Sequence, residues 1–154
     1  MRGIIQETQK RSKEMIEQSM KRIWPGVLTA VVAGAILWLT LAPQPLPEAD
    51  IPMFEGADKV VHGLMFGGLV FAMVFDREVW LMRHRLSPDS RKERYFIALF
   101  FLLAVLAGVG IELLQGAMGA GRSCDGADFL ADAVGAFLSA LVSPRIVRCL
   151  AGRQ

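Results

Sequence analysis

The chain has 154 residues, 53% of them hydrophobic and 21% charged, with a formal net charge of +2 at pH 7. Its mean hydropathy is +0.41. Charged residues this numerous in so apolar a chain must be segregated into segments of their own, which is typical of a small integral membrane protein. The basic residues are not interleaved with aromatic ones, so nothing favours nucleic acid as a partner.

Four apolar stretches follow one another along the chain, at about residues 24–42, 60–75, 95–115 and 129–147. Crossing ~30 Å of hydrocarbon takes about 20 helical residues. The first, third and fourth stretches are long enough, whereas the second crosses only if Lys59 and His62 lie at the interface. We therefore predict an all-α fold: an integral membrane four-transmembrane-helix bundle surrounded by the lipid bilayer, with no room for a separate soluble domain.

The distribution of lysine and arginine predicts the orientation of this bundle. Six of these residues lie before the first stretch, six between the second and third, and three at the C-terminal end, whereas only Lys59 and Arg122 lie in the other two connections. The positive-inside rule then places both termini in the cytoplasm. We predict a basic cytoplasmic segment (1–23), a four-helix membrane domain (24–147) and a cytoplasmic tail (148–154).

The N-terminal segment has a weak apolar stripe at helical spacing, formed by Ile5, Met15, Ile16, Met20 and Ile23. Such a stripe opposite basic residues is typical of a helix lying on an anionic inner leaflet. A frayed basic anchor that only sets the topology is the other interpretation, and the sequence leaves both open.

Polar and charged residues gather at the outer end of the predicted bundle, although they are scattered along the sequence. The candidate ligand-binding residues are Asp58, Lys59, His62, Glu112, Gln115, Arg122, Asp128 and Asp132. Ionisable groups near hydrocarbon are costly, so a set of them at one depth is a candidate functional site.

Helical spacing predicts which of these side chains share a face. Asp58 and His62 are four residues apart, Lys59 and His62 are three apart, and so are Glu112 and Gln115. Asp125, Asp128 and Asp132 follow a three-then-four spacing, which aligns them if the last helix begins early. Asp132 would then lie about 6 Å along the helix from Asp128.

Small residues predict close helix packing. The last stretch has Ala127, Ala131, Gly135 and Ser139 at intervals of four, and the second has Gly63 and Gly67. Stripes of this kind let two helix backbones approach each other. The stripe serves either packing within the chain or a homodimer interface, so a homo-oligomer or another membrane partner stays open.

The order of these motifs resembles the VanZ-like family. The matching residues are Asp58, Lys59 and His62, then Gly108, Glu112 and Gln115, then Arg122, and finally Asp128, Asp132 and Gly135, and the resemblance covers roughly residues 43–141. It implies a protein of the bacterial cytoplasmic (inner) membrane with a role in the cell envelope. The family is named for an accessory protein of glycopeptide resistance, associated with low-level teicoplanin resistance, and has no agreed biochemical activity. Asp132 stands where the family often has asparagine.

With His62 neutral, the cluster and Asp125 hold two cations against five carboxylates, a formal charge of −3. Five carboxylates this close do not all ionise without a counter-charge. One account is therefore a structural network of ion pairs that holds three helices in register. A second is a binding pocket for a glycopeptide or a peptidoglycan precursor, in which Lys59 and Arg122 suit a carboxylate and the acids suit an amine.

The third account is a metal-dependent enzyme, and the sequence leaves open whether the protein is one. Its candidate ligands for Mg²⁺ or a similar divalent cation are Glu112, Asp125, Asp128 and Asp132. Lys59 and Arg122 would grip a phosphate or pyrophosphate of a lipid-linked envelope precursor. His62 and Glu112 are the candidate catalytic residues, as acid or base.

Overall fold

The computed structural model describes residues 2–42, 56–118 and 126–152, and these form five helices without any strand. The helices are α1 (Arg2–Arg22), α2 (Val27–Leu41), α3 (Ala57–Arg83), α4 (Ser90–Met118) and α5 (Gly126–Leu150). Three of them, α3, α4 and α5, are long and apolar enough to cross a membrane, and α2 is a shorter apolar helix. The predicted all-α membrane bundle is confirmed, whereas the orientation of its termini stays a prediction.

The relative lengths of the first two apolar helices differ from the prediction. The first stretch, expected to be long enough, forms the 15 residues of α2, which is about 22 Å at the usual helical rise. The second, expected to be short, is part of the 27 residues of α3. Helix α3 continues past the end of this apolar stretch, through Asp76 and Glu78. Both side chains are buried, at 5% and 4% exposure, and do not form a polar loop.

Helix α1 lies against the end of the bundle where α4 begins and α5 finishes, which we call the basic end. Its Met20 is buried in a small apolar cluster with Val79, Met82 and Ala151. The N-terminal segment is therefore a helix docked on the bundle by its last turn, and neither of the two earlier interpretations included this contact.

Helices α3 and α5 run parallel and touch through their backbones. A Cβ atom added to Gly135 would overlap the backbone of Gly63, and one added to Gly67 would lie 3.1 Å from the Gly135 carbonyl oxygen. At Gly63, a Cβ atom would lie 3.2 Å from the Ala131 carbonyl oxygen. The stripe of small residues thus packs within the chain, as the first of the two interpretations held. We call this contact the glycine seam.

The core lies between α3, α4 and α5 and includes Phe66, Val70, Ala104, Ala136 and Val147. Large apolar side chains also cover the outside of the bundle, among them Leu102, Leu106, Leu113, Val134 and Leu138, each at least half exposed. Helices that are apolar both inside and outside fit a bilayer as solvent.

Helix α2 is capped by a residue of another helix. It begins after Gly26, which has a φ of 95° and offers no side-chain cap. The Asp76 carboxylate of α3 instead accepts hydrogen bonds from the Thr29 backbone N–H at 2.8 Å and the Thr29 hydroxyl at 2.6 Å. An N-terminal N–H group needs such an acceptor. Burial of Asp76 is therefore explained by its role in holding the start of α2.

We expect Gly135→Ala to destabilise the bundle, because the added methyl group has no space against the Gly63 backbone. Overpacking of this kind costs about 1–3 kcal/mol. Thermal unfolding of the detergent-purified protein measures the loss. Gly68→Ala is the matched control, since a Cβ atom there meets nothing within 4 Å. A Gly135→Ala protein as stable as the Gly68→Ala protein would contradict the glycine seam.

We expect Asp76→Ala to loosen α2, because two donors on Thr29 lose their acceptor. Leaving buried donors unsatisfied costs about 1–3 kcal/mol. Hydrogen exchange of the first turn of α2, together with thermal unfolding, measures the effect. Asp76→Asn keeps an acceptor oxygen and should lose clearly less. Equal losses in the two variants would argue against capping by the side-chain oxygen.

Candidate functional site

Three helices meet at the end of the bundle opposite α1, which we call the polar end. The site has an inner layer made of His62 from α3, Glu112 from α4 and Asp132 from α5. The His62 Nδ1 atom lies 3.0 Å from Asp132 Oδ1, and one ligand atom of each of the three residues lies within 4.8 Å of the others. Glu112 and Asp132 are buried, at 4% and 2% exposure.

The inner layer depends on local features of each helix. His62 precedes Gly63, so the glycine seam brings it close to α5. Asp132 follows Ala131, whose carbonyl group faces Gly63. On α4, a Cβ atom at Gly108 would lie 3.0 Å from Asp132 Oδ2. The missing side chain at Gly108, one turn before Glu112, therefore leaves the space that the Asp132 carboxylate occupies.

An outer layer lies one turn closer to the helix ends. The Lys59 Nζ atom is 2.9 Å from Asp58 Oδ2 and 3.3 Å from Asp128 Oδ1. The side chains of Lys59 and Asp58 are 39% and 59% exposed. Exposed ion pairs of this kind add little stability, about 0–1 kcal/mol. The outer layer is thus accessible to a ligand, and its contacts are weak enough to exchange.

Gln115 joins the site to α2. Its Nε2 atom donates a hydrogen bond to the Thr40 carbonyl oxygen at 2.9 Å. The Thr40 hydroxyl in turn donates to the Ile36 carbonyl at 2.7 Å. Gln115, predicted as a ligand residue, therefore also fastens the last turn of α2 to α4.

The predicted metal ligands separate into two groups. Glu112 and Asp132 lie with His62, and these three can hold a metal ion, whereas Asp128 contacts Lys59. Asp125, like Arg122 of the ligand-binding set, lies outside the described residues. One imidazole nitrogen and two carboxylate oxygens form a mixed donor set, which is suited to Zn²⁺ or Mn²⁺. The donor set predicted from the sequence for Mg²⁺ contained oxygen ligands only.

The inner layer is also suited to proton transfer. A carboxylate that is hydrogen-bonded to one ring nitrogen of a histidine orients the imidazole and leaves the other nitrogen to act as base or acid. His62 and Asp132 have this relation at 3.0 Å. The three residues thus offer two kinds of chemistry, metal binding and acid–base catalysis.

Asp76 and Glu78 are buried carboxylates that were not singled out from the sequence. Both follow directly after the second apolar stretch, which ends at about residue 75 by hydropathy. A signal was present, since no glycine or proline separates Phe75 from the apolar residues Val79 and Trp80. Such an uninterrupted run is typical of a helix that continues past its charges.

We expect Asp132→Ala to reduce stability more than Asp128→Ala, although both remove a carboxylate from the same face of α5. Loss of Asp132 takes a buried acceptor from His62, at a cost of about 1–3 kcal/mol. Loss of Asp128 breaks a partly exposed contact with Lys59, worth about 0–1 kcal/mol. Thermal unfolding of both variants in one detergent measures the difference. Equal effects would mean that the two layers are not distinct.

Comparison with known proteins agrees with the order of motifs and with the helical architecture. No curated protein and no solved structure matches the chain. The family model described as VanZ/LLP1 matches residues 4–148, which is nearly the whole chain. With its long apolar helices, the chain is therefore a membrane protein that belongs to the VanZ/LLP1 family.

Proposed function

We propose that the polar end of this protein is an outward-facing binding site for a cell-envelope precursor or a glycopeptide antibiotic. The role would be envelope maintenance or tolerance of teicoplanin-type antibiotics, in the bacterial cytoplasmic membrane with both termini inside. The excess of lysine and arginine in the predicted inner segments supports this orientation.

The arrangement of the outer layer is the observation that carries the proposal. Lys59 lies between Asp58 and Asp128, within 3.3 Å of both, and this layer is the accessible part of the site. A ligand that bears both a carboxylate and an amine can replace these contacts one for one. Lys59 would take the carboxylate, and the two aspartates would take the amine.

The charge of the whole cluster also favours a ligand with a cationic group. Among the described residues, four carboxylates (Asp58, Glu112, Asp128 and Asp132) accompany Lys59. The formal charge of these five residues is −3 with His62 neutral. An amine on a peptidoglycan precursor or on an antibiotic would lower the repulsion among these acids.

A metal-dependent enzyme acting on a lipid-linked phosphate is the second candidate, and the inner layer favours it. His62, Glu112 and Asp132 provide a donor set for a divalent cation. When bound, the cation would polarise a phosphate oxygen. Lys59 would hold the phosphate from the outer layer, and a Glu112 oxygen not used for the cation would exchange a proton.

We expect the protein in nanodiscs to bind teicoplanin or a lipid-linked peptidoglycan precursor, measured by titration with each. Lys59→Met should weaken binding about tenfold, equivalent to 1.4 kcal/mol, whereas Lys59→Arg keeps the charge and should lose less. Arg85→Met is the matched control, because Arg85 lies at the basic end. Absence of binding in the folded wild type, or equal loss in the Arg85 variant, would contradict the proposal.

Isosteric changes in the inner layer separate the other two accounts. Phosphate release from a lipid-linked pyrophosphate by the wild type, lost in folded Glu112→Gln and His62→Gln proteins, would identify an enzyme. If these variants lose thermal stability and ligand binding together, and the wild type releases no phosphate, the inner layer is a structural network. Retention of ligand binding in these variants would place recognition in the outer layer alone.

A further inference from the structure

A groove lies between α4 and α5 at the basic end, far from the polar site. Its volume is about 770 Å³. The walls are apolar and include Ile97, Ala98 and Phe101 of α4 and Phe137, Ala140 and Leu141 of α5. Neither the family match nor the proposed function assigns a role to this groove.

The groove has the depth of one membrane leaflet. From Ser90 at its outer limit to Phe101 is eleven residues of α4, or about 16 Å at 1.5 Å per residue. Half of the ~30 Å hydrocarbon thickness is about 15 Å. Phe101 and Phe137 meet edge to face, with ring centroids 6.1 Å apart, and close the deep end. The cavity therefore suits an acyl chain that enters from one leaflet.

The rim of the groove is positively charged. Its charged residues are Glu93, Arg94, Arg145 and Arg148. Three cations and one anion give the rim a formal net charge of +2. Glu93 is 3.6 Å from Arg148, and the Arg148 Nε atom donates to the Pro144 carbonyl at 3.0 Å. Arg148 is thus paired with Glu93, while the exposed Arg94 and Arg145 remain in excess over Glu93. Arg145 makes one long hydrogen bond, 3.4 Å, to the Leu141 carbonyl oxygen.

A second cavity shows that this charge is not a general property of the basic end. It has about 880 Å³ and lies on the other side of α4, among α2, α3 and α4. Its ionisable lining residues are Asp76, Arg77, Asp89 and Lys92, and their formal charges sum to zero. The two cavities are similar in volume, but of the two the groove between α4 and α5 alone combines an apolar wall with a net positive rim.

We propose that this groove binds an anionic phospholipid, with the phosphate at Arg94 and Arg145 and one acyl chain along the apolar wall. Guanidinium groups match phosphate oxygens in charge and in hydrogen-bonding geometry. Basic pockets between membrane helices are suited to anionic headgroups. The lipid would fill the space between α4 and α5, and its phosphate would bridge Arg94 of one helix and Arg145 of the other.

The test is lipid-dependent thermal unfolding of the full-length protein in detergent micelles, with phosphatidylglycerol or phosphatidylcholine added. We expect phosphatidylglycerol to raise the melting temperature of the wild type more than phosphatidylcholine does. In the double variant Arg94→Gln/Arg145→Gln this preference should disappear, with an affinity for phosphatidylglycerol about tenfold lower by native mass spectrometry.

The matched control is Arg91→Gln/Lys92→Gln, which also removes two positive charges at the basic end, both from the start of α4. Neither residue lines the groove, so the preference for phosphatidylglycerol should persist. Equal loss in both double variants would overturn the proposal, because a diffuse positive surface would then be sufficient. Equal stabilisation of the wild type by the two lipids would overturn it as well.

A third variant tests whether the acyl chain enters the groove. Ala98→Trp leaves every charge in place but fills the apolar wall, and Ala98 is exposed, so the fold tolerates the larger side chain. Retention of phosphatidylglycerol should fall in this variant, and glycerol phosphate alone should not stabilise the wild type. Undiminished lipid retention would show that the headgroup binds the rim without a chain in the groove, against the proposal.

Discussion

The backbone contact between Gly63 and Gly135 is the constraint on which the rest of the structure depends. Two parallel helices come this close only where glycine faces glycine, because a Cβ atom at Gly135 would overlap the Gly63 backbone. The register then decides which residues face each other above the contact. His62 and Asp132 lie beside it and are brought to 3.0 Å. Packing and site chemistry are thus set by the same contact.

The short helix α2 depends on the long helices at both of its ends. Asp76 of α3 accepts the donors of Thr29 at its start, and Gln115 of α4 donates to the Thr40 carbonyl at its end. A helix of 15 residues is too short to cross ~30 Å of hydrocarbon unaided. In a medium without water, these polar contacts satisfy the terminal groups that would otherwise be exposed to lipid.

Much of the site followed from sequence spacing, since helical periodicity determines which side chains share a face. The small-residue stripes predicted the glycine seam, and Lys59, His62, Asp128 and Asp132 meet at one end as expected. Spacing placed Asp128 and Asp132 about 6 Å apart along α5, but it could not show that Asp132 is buried. Space for its carboxylate is left by Gly108, which belongs to another helix.

Hydropathy alone does not predict the length of α3, for a related reason. Hydropathy treats Asp76 and Glu78 as the end of an apolar segment, because it counts each residue in isolation. Inside the bundle the cost of burying Asp76 is offset by the unsatisfied donors at the start of α2. A carboxylate near a helix N-terminus is favoured by the helix dipole as well. Burial of Asp76 within α3 is therefore stabilised by a partner 47 residues away along the chain.

The two layers of the polar end differ in what packing alone requires. A partly buried histidine and a buried aspartate at 3.0 Å already fix α3 against α5, so holding these helices together does not need Lys59, Asp58 or Asp128. These residues lie above the contact, with side chains 39%, 59% and 19% exposed. Their ion pairs add little stability at such exposure. These three charged groups therefore contribute little to the stability of the bundle. Their exposed position at the polar end agrees with the proposed ligand site.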